Sequence, residues 1–190
     1  MGEKMKKYAL FVIAILALVV LASGCTTSSD QASTQPTVPT KQYSGSEVSF
    51  SYPESWQELQ QITSPNAVVA FGDPSSVDSS TGNVNTLVVV QKVAMPSGST
   101  LKQVYDSTYQ QFAQQNPSFK TVSESTRTVD GTTAYVNVHT VDVSGVQKQE
   151  QAVWLEKNGY IYVILCGALP SQFQGQQANF DAIINTFKVQ

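Results

Sequence analysis

The amino-acid sequence predicts an α+β domain built on a predominantly antiparallel sheet of about six or seven strands sandwiched by helices. The first observation behind this prediction is a meander: the segment 119–168 contains four consecutive strand patterns joined by short turns. The second is a pair of amphipathic segments, one before and one after the meander, at helical spacing. Each such helix must bury its apolar face, and the sheet is the available surface.

Three strands are predicted ahead of the first helix. Alternation of apolar residues with serines at 48–52 is typical of a half-buried strand, which Pro53 ends. Apolar runs at 67–71 and 86–93 predict two more strands. The polar stretch 72–85, rich in Ser, Gly and Asp, predicts a loop between them.

The first predicted helix begins at Thr100. Thr100 and Gln103 have the spacing of a capping box, in which each side chain satisfies a free backbone N–H of the other residue. Apolar residues recur at helical spacing over 101–113, and glutamines occupy the opposite side. Asn116 and Pro117 end the pattern.

The four strands of the meander are predicted from alternation and from the turns between them. Asp130-Gly131 and Asn158-Gly159 are strong two-residue hairpin signals, because both turn positions require positive φ. The last strand is apolar on both faces, so both faces of the sheet must be covered. The strands are predicted at 119–128, 132–143, 147–157 and 160–168.

The second predicted helix covers the C-terminal segment. It opens at Pro170, and its apolar stripe runs from Phe173 to Phe187. Gly175 weakens its first turn, because glycine costs about 1 kcal/mol relative to alanine inside a helix.

The N-terminus has the pattern of a secretory leader. A basic start precedes an apolar run at 9–22, whose helical length of about 21 Å is short of the roughly 30 Å of bilayer hydrocarbon. Residues 1–24 are therefore predicted to be a signal peptide, and the small residues before Cys25 resemble a lipobox with Cys25 as the lipid attachment site. Ordinary cleavage near Ala22 or an uncleaved anchor are the alternatives. All three place the domain outside the cytoplasm, and the lipobox predicts that it is anchored to the cell membrane.

The leader is followed by a segment with almost no apolar residues. Residues 25–42 are rich in Ser, Thr, Gln and Pro and cannot bury enough surface to offset the entropy of ordering, which predicts a disordered tether. The segment 43–190 has the length of one folded domain. If Cys25 carries lipid, Cys166 has no partner within the chain, so no disulfide framework is expected.

The charge balance excludes one class of partner. The chain has a formal net charge of −3, and three of its eleven Lys and Arg residues lie in the predicted leader. A nucleic-acid binder needs clustered basic residues to displace counterions from phosphates, and this chain has no such cluster. No nucleic-acid partner is predicted, and attachment to the membrane is expected through the lipid on Cys25.

Catalytic and metal-binding constellations are weak in this sequence. His139 is the single histidine, and no Gly-x-Ser-x-Gly elbow accompanies it. Zinc sites require several His or Cys, and Asp73 and Asp78 lack the spacing of a calcium loop. The sequence therefore predicts no catalytic residue, no cofactor and no metal.

Four side chains remain candidates for ligand binding or pH sensing. His139 shares one strand face with polar residues, so it is either a packed strand residue or a ligand or base. Trp154, Tyr160 and Tyr162 are expected to form an aromatic cluster across the last hairpin, where a pocket could form. The alternative for all three is that they belong to the core.

Two short motifs resemble the PsbP-like family, and in particular PsbP-related lipoproteins of archaea and bacteria. They are Phe-x-Tyr-Pro-x-x-Trp at 50–56 and Phe-x-x-Ile-Ile-x-Thr-Phe at 180–187. The resemblance implies an α/β/α fold, an antiparallel sheet sandwiched by helices. The family takes its name from an extrinsic subunit of photosystem II, whose role depends on an N-terminal segment and basic contacts that this chain lacks. The motifs carry no catalytic or ligand residue.

Anchor, tether and the absence of a catalytic constellation together predict a non-enzymatic lipoprotein of the cell envelope. Its domain is expected to bind or stabilise an envelope protein partner. A solute- or ligand-carrying lipoprotein is the first alternative, which a deep apolar cavity under one helix would favour. An enzyme of unknown type is the second.

Overall fold

The computed structural model describes residues 38–60, 64 and 66–190. The predicted leader, Cys25 and most of the predicted tether lie outside the described residues. In chain order the strands are β1 (Thr40–Ser44), β2 (Val48–Pro53), β3 (Gln57–Glu58), β4 (Ala67–Gly72), β5 (Leu87–Ala94), β6 (Lys120–Val129), β7 (Thr132–Val143), β8 (Val146–Lys157), β9 (Tyr160–Ala168) and β10 (Lys188–Val189). The α-helices are α1 (Leu101–Gln115), α2 (Pro170–Phe173) and α3 (Gln177–Thr186).

The described strands form two sheets. The large sheet has seven strands in the order β3-β4-β5-β9-β8-β7-β6, and every neighbouring pair is antiparallel. The small sheet has three strands in the order β1-β2-β10. The predicted α+β class, the antiparallel sheet and its strand number are confirmed. The small sheet adds a second layer on one side that the sequence did not predict.

β1 begins inside the segment that the sequence assigned to the tether. It pairs with β2 from Thr40 opposite Pro53 to Ser44 opposite Ser49. The ring of Tyr43 lies 5.2 Å from that of Phe50, which holds the strand on the core. The ordered chain thus starts at least three residues before the predicted boundary at 43, because backbone pairing orders residues whose side chains are polar.

The hairpins of the meander turn as the sequence predicts. Both residues of Asp130-Gly131 and of Asn158-Gly159 have positive φ, between 51° and 76°. Ser144-Gly145 makes a third turn of the same kind, with φ of 52° and 83°. Two-residue turns fix the register of the strands that they join.

The helices confirm one prediction and modify another. Thr100 and Gln103 cap α1 with both hydrogen bonds of a capping box. The C-terminal helix is divided, because a 3-10 turn at Gln174–Gln176 separates α2 from α3. Gly175 lies in this turn, at the position where its low helix propensity was expected to weaken the helix. Among the described residues no helix is long and apolar enough to cross a bilayer.

The two faces of the large sheet are covered differently. We call the face under α1 the α1 face and the opposite one the α3 face. The α3 face packs against α2, α3 and the small sheet in one large apolar cluster that includes Phe50, Trp56, Phe173, Phe180 and Phe187. The α1 face packs against α1 and the loop 73–86 in smaller clusters.

Candidate functional site

The structure separates the four side chains that the sequence singled out. His139 and Trp154 lie together on the α1 face, where both contact Tyr109. Tyr162 is buried in the core of the α3 face, and Tyr160 is 40% exposed at the surface. The predicted aromatic cluster of Trp154 with the two tyrosines is therefore wrong, because the sheet itself lies between them.

The register of the last hairpin explains this separation. The turn Asn158-Gly159 places Lys157 opposite Tyr160 and hence Trp154 opposite Val163. Directly opposed residues share a sheet face, so the even-numbered tyrosines of β9 lie on the other face from Trp154. The turn signal alone carries this information, and the sequence prediction did not use it.

Tyr160 is held at the surface by charge. The ammonium of Lys92 lies 4.1 Å from the centre of the Tyr160 ring, within cation–π distance, and also forms an ion pair with Glu47. The exposed ring thus has a local partner and lines no pocket with Trp154.

His139 is buried beneath α1. It is 1% exposed, and its ring lies 5.0 Å from that of Phe119, 5.8 Å from Tyr109 and 6.2 Å from Phe112. A buried imidazole needs hydrogen-bond partners for both nitrogens, since an unpaired polar group in the core costs about 1–3 kcal/mol.

A chain of hydrogen bonds supplies these partners. His139 Nδ1 lies 2.9 Å from Asn137 Oδ1, and Nε2 lies 3.1 Å from Glu150 Oε2. Asn137 Nδ2 donates to Glu124 Oε1 over 3.3 Å, and the Tyr105 hydroxyl donates to the same oxygen over 2.7 Å. The chain runs under α1 from Glu124 on β6 to Glu150 on β8.

The direction of each bond fixes where the protons lie. Glu124 Oε1 accepts from the amide nitrogen of Asn137, so the amide oxygen of Asn137 faces His139. His139 Nδ1 must therefore carry a proton and donate.

Burial and the carboxylate also act on the tyrosine at the far end of this chain. Burial, together with the hydrogen bond to Glu124, raises the pKa of Tyr105 above its ordinary value. The phenol therefore stays protonated and remains the donor at neutral pH, which keeps the direction of the bonds unchanged.

Glu150 connects this chain to a recess at one end of the large sheet. The recess encloses about 80 Å³ between the loop 73–86, the β7–β8 turn and the end of β9. Glu150 is 4% exposed and forms part of its wall. The full lining is Asp78, Thr81, Asn83, Val84, Asn85, Leu87, Val143, Ser144, Val146, Lys148, Glu150 and Gly167.

Lys148 crosses the recess to the loop. Its Nζ donates to the side-chain oxygen of Asn85 and, over 3.4 Å, to the backbone oxygen of the same residue. Partial burial lowers the pKa of Lys148, and the negative charges of Glu150 and Asp78 act in the opposite direction. The amine is thus easier to deprotonate than an ordinary lysine, although acidic groups surround it.

Asp78 stabilises the loop itself. Its Oδ1 accepts hydrogen bonds from the backbone N–H groups of Ser80 and Thr81, each over 2.9 Å, and from both hydroxyls. These bonds lower the pKa of Asp78 to about 2. The carboxylate is ionised at neutral pH, and its hydrogen bonds stabilise the loop in which it lies.

Within residues 38–60, 64 and 66–190, no group of three or more His, Cys, Asp and Glu side chains is placed to hold a metal ion.

Sequence reasoning missed the recess and its charged residues. Lys148 and Glu150 are four and two residues closer to the strand start than the buried Ala152, so alternation places them on the same α1 face. The turn Ser144-Gly145 then pairs Glu150 with His139 directly. In the sequence, these charged residues occupy alternate strand positions that are otherwise buried, and one of them lies opposite the single histidine. This pattern was the available signal for the recess.

An antiparallel sheet covered by one helix on one face and by helices and a small sheet on the other defines the class of this protein. A sequence model of the PsbP-like protein family matches residues 9–189. The chain belongs to the PsbP-like family, and the resemblance inferred from its two motifs is confirmed. No curated protein matches the chain by sequence.

Solved structures share the fold at low sequence identity. Cyanobacterial PsbP (CyanoP) from Synechocystis sp. PCC 6803 is 18% identical, with a TM-score of 0.60 over 85% of this chain and 98% of that one. LpqN, involved in cell envelope biogenesis of Mycobacterium tuberculosis, is 12% identical, with a TM-score of 0.55 over 75% and 82%. The Saccharomyces cerevisiae Ran-binding protein Mog1p is 11% identical, with a TM-score of 0.55 over 80% and 96%. At these identities the likeness shows a shared fold.

Proposed function

We propose that this protein is a lipid-anchored, non-enzymatic binding module outside the cytoplasm that attaches to a protein partner at the cell envelope. The anchor is the lipid on Cys25, and the segment 25–42 carries the chain from the membrane toward the folded domain. The names of two similar structures point the same way, since LpqN is involved in cell envelope biogenesis and Mog1p binds Ran.

The observation that carries the proposal is the size of the recess. Pockets for small-molecule ligands enclose roughly 300–1,000 Å³, whereas the recess encloses about 80 Å³. The space beneath α1 is filled by the rings of Tyr105, Tyr109 and Trp154, and the space beneath α3 by the large apolar cluster. A solute carrier needs an interior cavity, so this packing favours contact with a partner at the surface.

Strand β6 is the surface that we assign to the partner. It is one of the two edge strands of the large sheet, and eight of its ten residues are exposed. Val122 on this strand is 58% exposed, the highest value among the large exposed apolar side chains of the described chain. An edge strand offers unpaired backbone N–H and C=O groups to an extended segment of a partner protein.

Localisation is tested first, in the source cell, with the full chain and its Cys25→Ser variant. Labelling with a fatty-acid analogue and protease treatment of intact cells are the two readouts. We expect the wild-type chain to carry label, remain with membranes and be digested from outside, and the variant to lose the label. A wild-type chain that is protected inside the cell overturns the proposal, and membrane retention without label in both forms supports the uncleaved anchor instead.

The partner is tested by cross-linking in intact cells followed by mass spectrometry. We expect one reproducible protein adduct that is lost in Val122→Lys on β6 and kept in the control Val77→Lys, since Val77 is 39% exposed in the loop 73–86. Reciprocal tagging of the partner must recover this chain. Adducts that are identical in both variants overturn the assignment of β6, and the absence of any adduct overturns the binding module.

A further inference from the structure

We propose that Lys148 and Asn85 form an intramolecular isopeptide bond across the recess, with Glu150 as the group that carries the proton. The bond would join β8 to the segment that leads into β5. This inference is independent of the proposed function, because it concerns a covalent modification of the chain itself.

The placement of the amine is the first argument. Lys148 Nζ donates to both oxygens of Asn85, the side-chain Oδ1 and the backbone oxygen. A nitrogen that is hydrogen-bonded to a carboxamide oxygen lies on the order of 3.5 Å from the carboxamide carbon, within the range of near-attack geometry. Attack on the carbon requires the carboxamide to turn so that its face meets Nζ, and Asn85 lies in the wall of the recess.

The protonation state of the amine is the second argument. An ammonium has no lone pair, so Lys148 must lose a proton before it can attack a carbonyl carbon. Partial burial shifts the lysine toward its neutral form. The apolar side chains of Val84, Leu87 and Val143 line the same recess and limit the solvation of the charge.

Glu150 supplies the third element, a base beside the amine. It lies two residues from Lys148 on the same strand face and lines the same recess. His139 fixes one of its oxygens, Oε2, at 3.1 Å, and Oε1 has no hydrogen-bond partner among those found in the described chain. A buried carboxylate with one uncommitted oxygen can take up a proton without losing a bond.

The step balances in atoms and charge. Glu150 Oε1 accepts a proton from the ammonium of Lys148, and the neutral Nζ attacks Cγ of Asn85. Glu150 returns this proton to Nδ2 and takes a second one from Nζ, which keeps one hydrogen in the new amide. The Cγ–Nδ2 bond breaks, and the nitrogen leaves as ammonia, which takes the second proton from Glu150 and becomes an ammonium ion. The ammonium of Lys148 and the carboxamide of Asn85 thus become an amide and an ammonium ion, without oxidant, reductant or cofactor.

Tryptic digestion of the denatured full chain tests the bond directly. The sequence predicts that Asn85 lies in the peptide Gln42–Lys92 and that a blocked Lys148 leaves the uncut peptide Thr128–Lys157. We expect these two peptides to appear as one branched species, about 17 Da lighter than their sum because ammonia has left. Linear peptides 128–148 and 149–157 at full mass, with no branched species, would overturn the proposal.

Four variants separate the chemistry from the fold. Lys148→Arg and Asn85→Ala must abolish the branched species, and Lys157→Arg, at an ion pair elsewhere in the meander, must keep it. Glu150→Gln preserves shape but cannot carry the proton, so the branched species must form at least tenfold more slowly. Equal rates in wild type and Glu150→Gln would overturn the role of Glu150. Circular dichroism confirms that each variant is folded before digestion.

Discussion

The two faces of the large sheet differ in the kind of group that each one buries. On the α3 face a single cluster unites residues from β2, from the large sheet and from the C-terminal helices, and its fully buried side chains include Phe50, Phe180 and Phe187. On the α1 face the apolar clusters are smaller, and His139 and Glu150 are buried between them. Glu150 and His139 are the buried glutamate and histidine of the described chain, and both lie on the α1 face.

This difference assigns most of the folding stability to one face and the reactive groups to the other. Burying apolar area contributes about 25 cal/mol per Å², so the face with the larger apolar cluster carries more of the folding free energy. Buried ionisable groups cost desolvation and contribute little net stability. Residues that violate the apolar pattern without a gain in stability are expected at functional or reactive places, which directs attention to the α1 face and its recess.

Truncation of a large side chain on each face should give the largest effect and the clearest contrast. Phe180 is 0% exposed and contacts Trp56 and Phe173, so Phe180→Ala should lower the free energy of unfolding by about 4 kcal/mol. Leu101 on α1 is 7% exposed, and Leu101→Ala should cost about 2 kcal/mol. Urea denaturation measures both. An equal or larger loss in Leu101→Ala would contradict the division between faces.

The buried pair gives the next effect. Removing one partner leaves the other unpaired in the core, so His139→Leu or Glu150→Leu alone should cost about 3 kcal/mol. The double variant should cost clearly less than the sum of the two, because it removes the unpaired group as well as the bond. Urea denaturation of the wild type, the two single variants and the double variant completes this double-mutant cycle. Additive losses would show that the pair at 3.1 Å is not coupled.

Most of the fold could be predicted from the sequence because the relevant signals are local. Asp130-Gly131 and Asn158-Gly159 define the hairpins, and Thr100 with Gln103 defines the start of α1. The small sheet could not be predicted in this way. β10 has two residues, Lys188 and Val189, and it pairs with β2, which is far away in the chain. No local sequence pattern therefore predicts this strand.

The recess was harder to predict than the fold because it depends on contacts between distant segments. Asn85 and Lys148 are separated by 63 positions, and neither has an unusual sequence context. The hairpin register would have paired His139 with Glu150, but the loop that brings Asn85 to β8 has no periodic signal. Side-chain chemistry assembled by a loop requires the three-dimensional structure.

Acid should weaken the attachment of the small sheet through Asp130. Its carboxylate accepts from the ammonium of Lys157 and from the backbone N–H of Val189 over 3.1 Å, and it pairs with Lys188 over 3.2 Å. Burial alone would raise the pKa of Asp130, but these hydrogen bonds outweigh it and the pKa lies below its ordinary value. A lowered pKa stabilises the fold above the unfolded value of about 3.9, and this stability is lost as the pH falls through the lowered pKa.

Asp130→Asn tests this sign. We expect a loss of about 1–2 kcal/mol at pH 7, because an amide does not replace the charged bonds. The loss should shrink below about pH 5 as the wild-type stability declines toward that of the variant. Thermal unfolding across pH 3 to 7 measures both curves. A constant difference at every pH would contradict the assignment to the Asp130 carboxylate.

The smallest effect is expected at the β6 edge, where neither face is involved. Val122→Thr on β6 replaces a methyl group by a hydroxyl of similar size at a side chain that is 58% exposed, so stability should change by no more than about 0.5 kcal/mol. The same substitution at Val136, which is 5% exposed on the α3 face, buries the hydroxyl and should cost about 1.5 kcal/mol. Urea denaturation compares the two. If Val122→Thr costs as much as Val136→Thr, β6 is already covered in the isolated protein, and it is not the surface open to a partner.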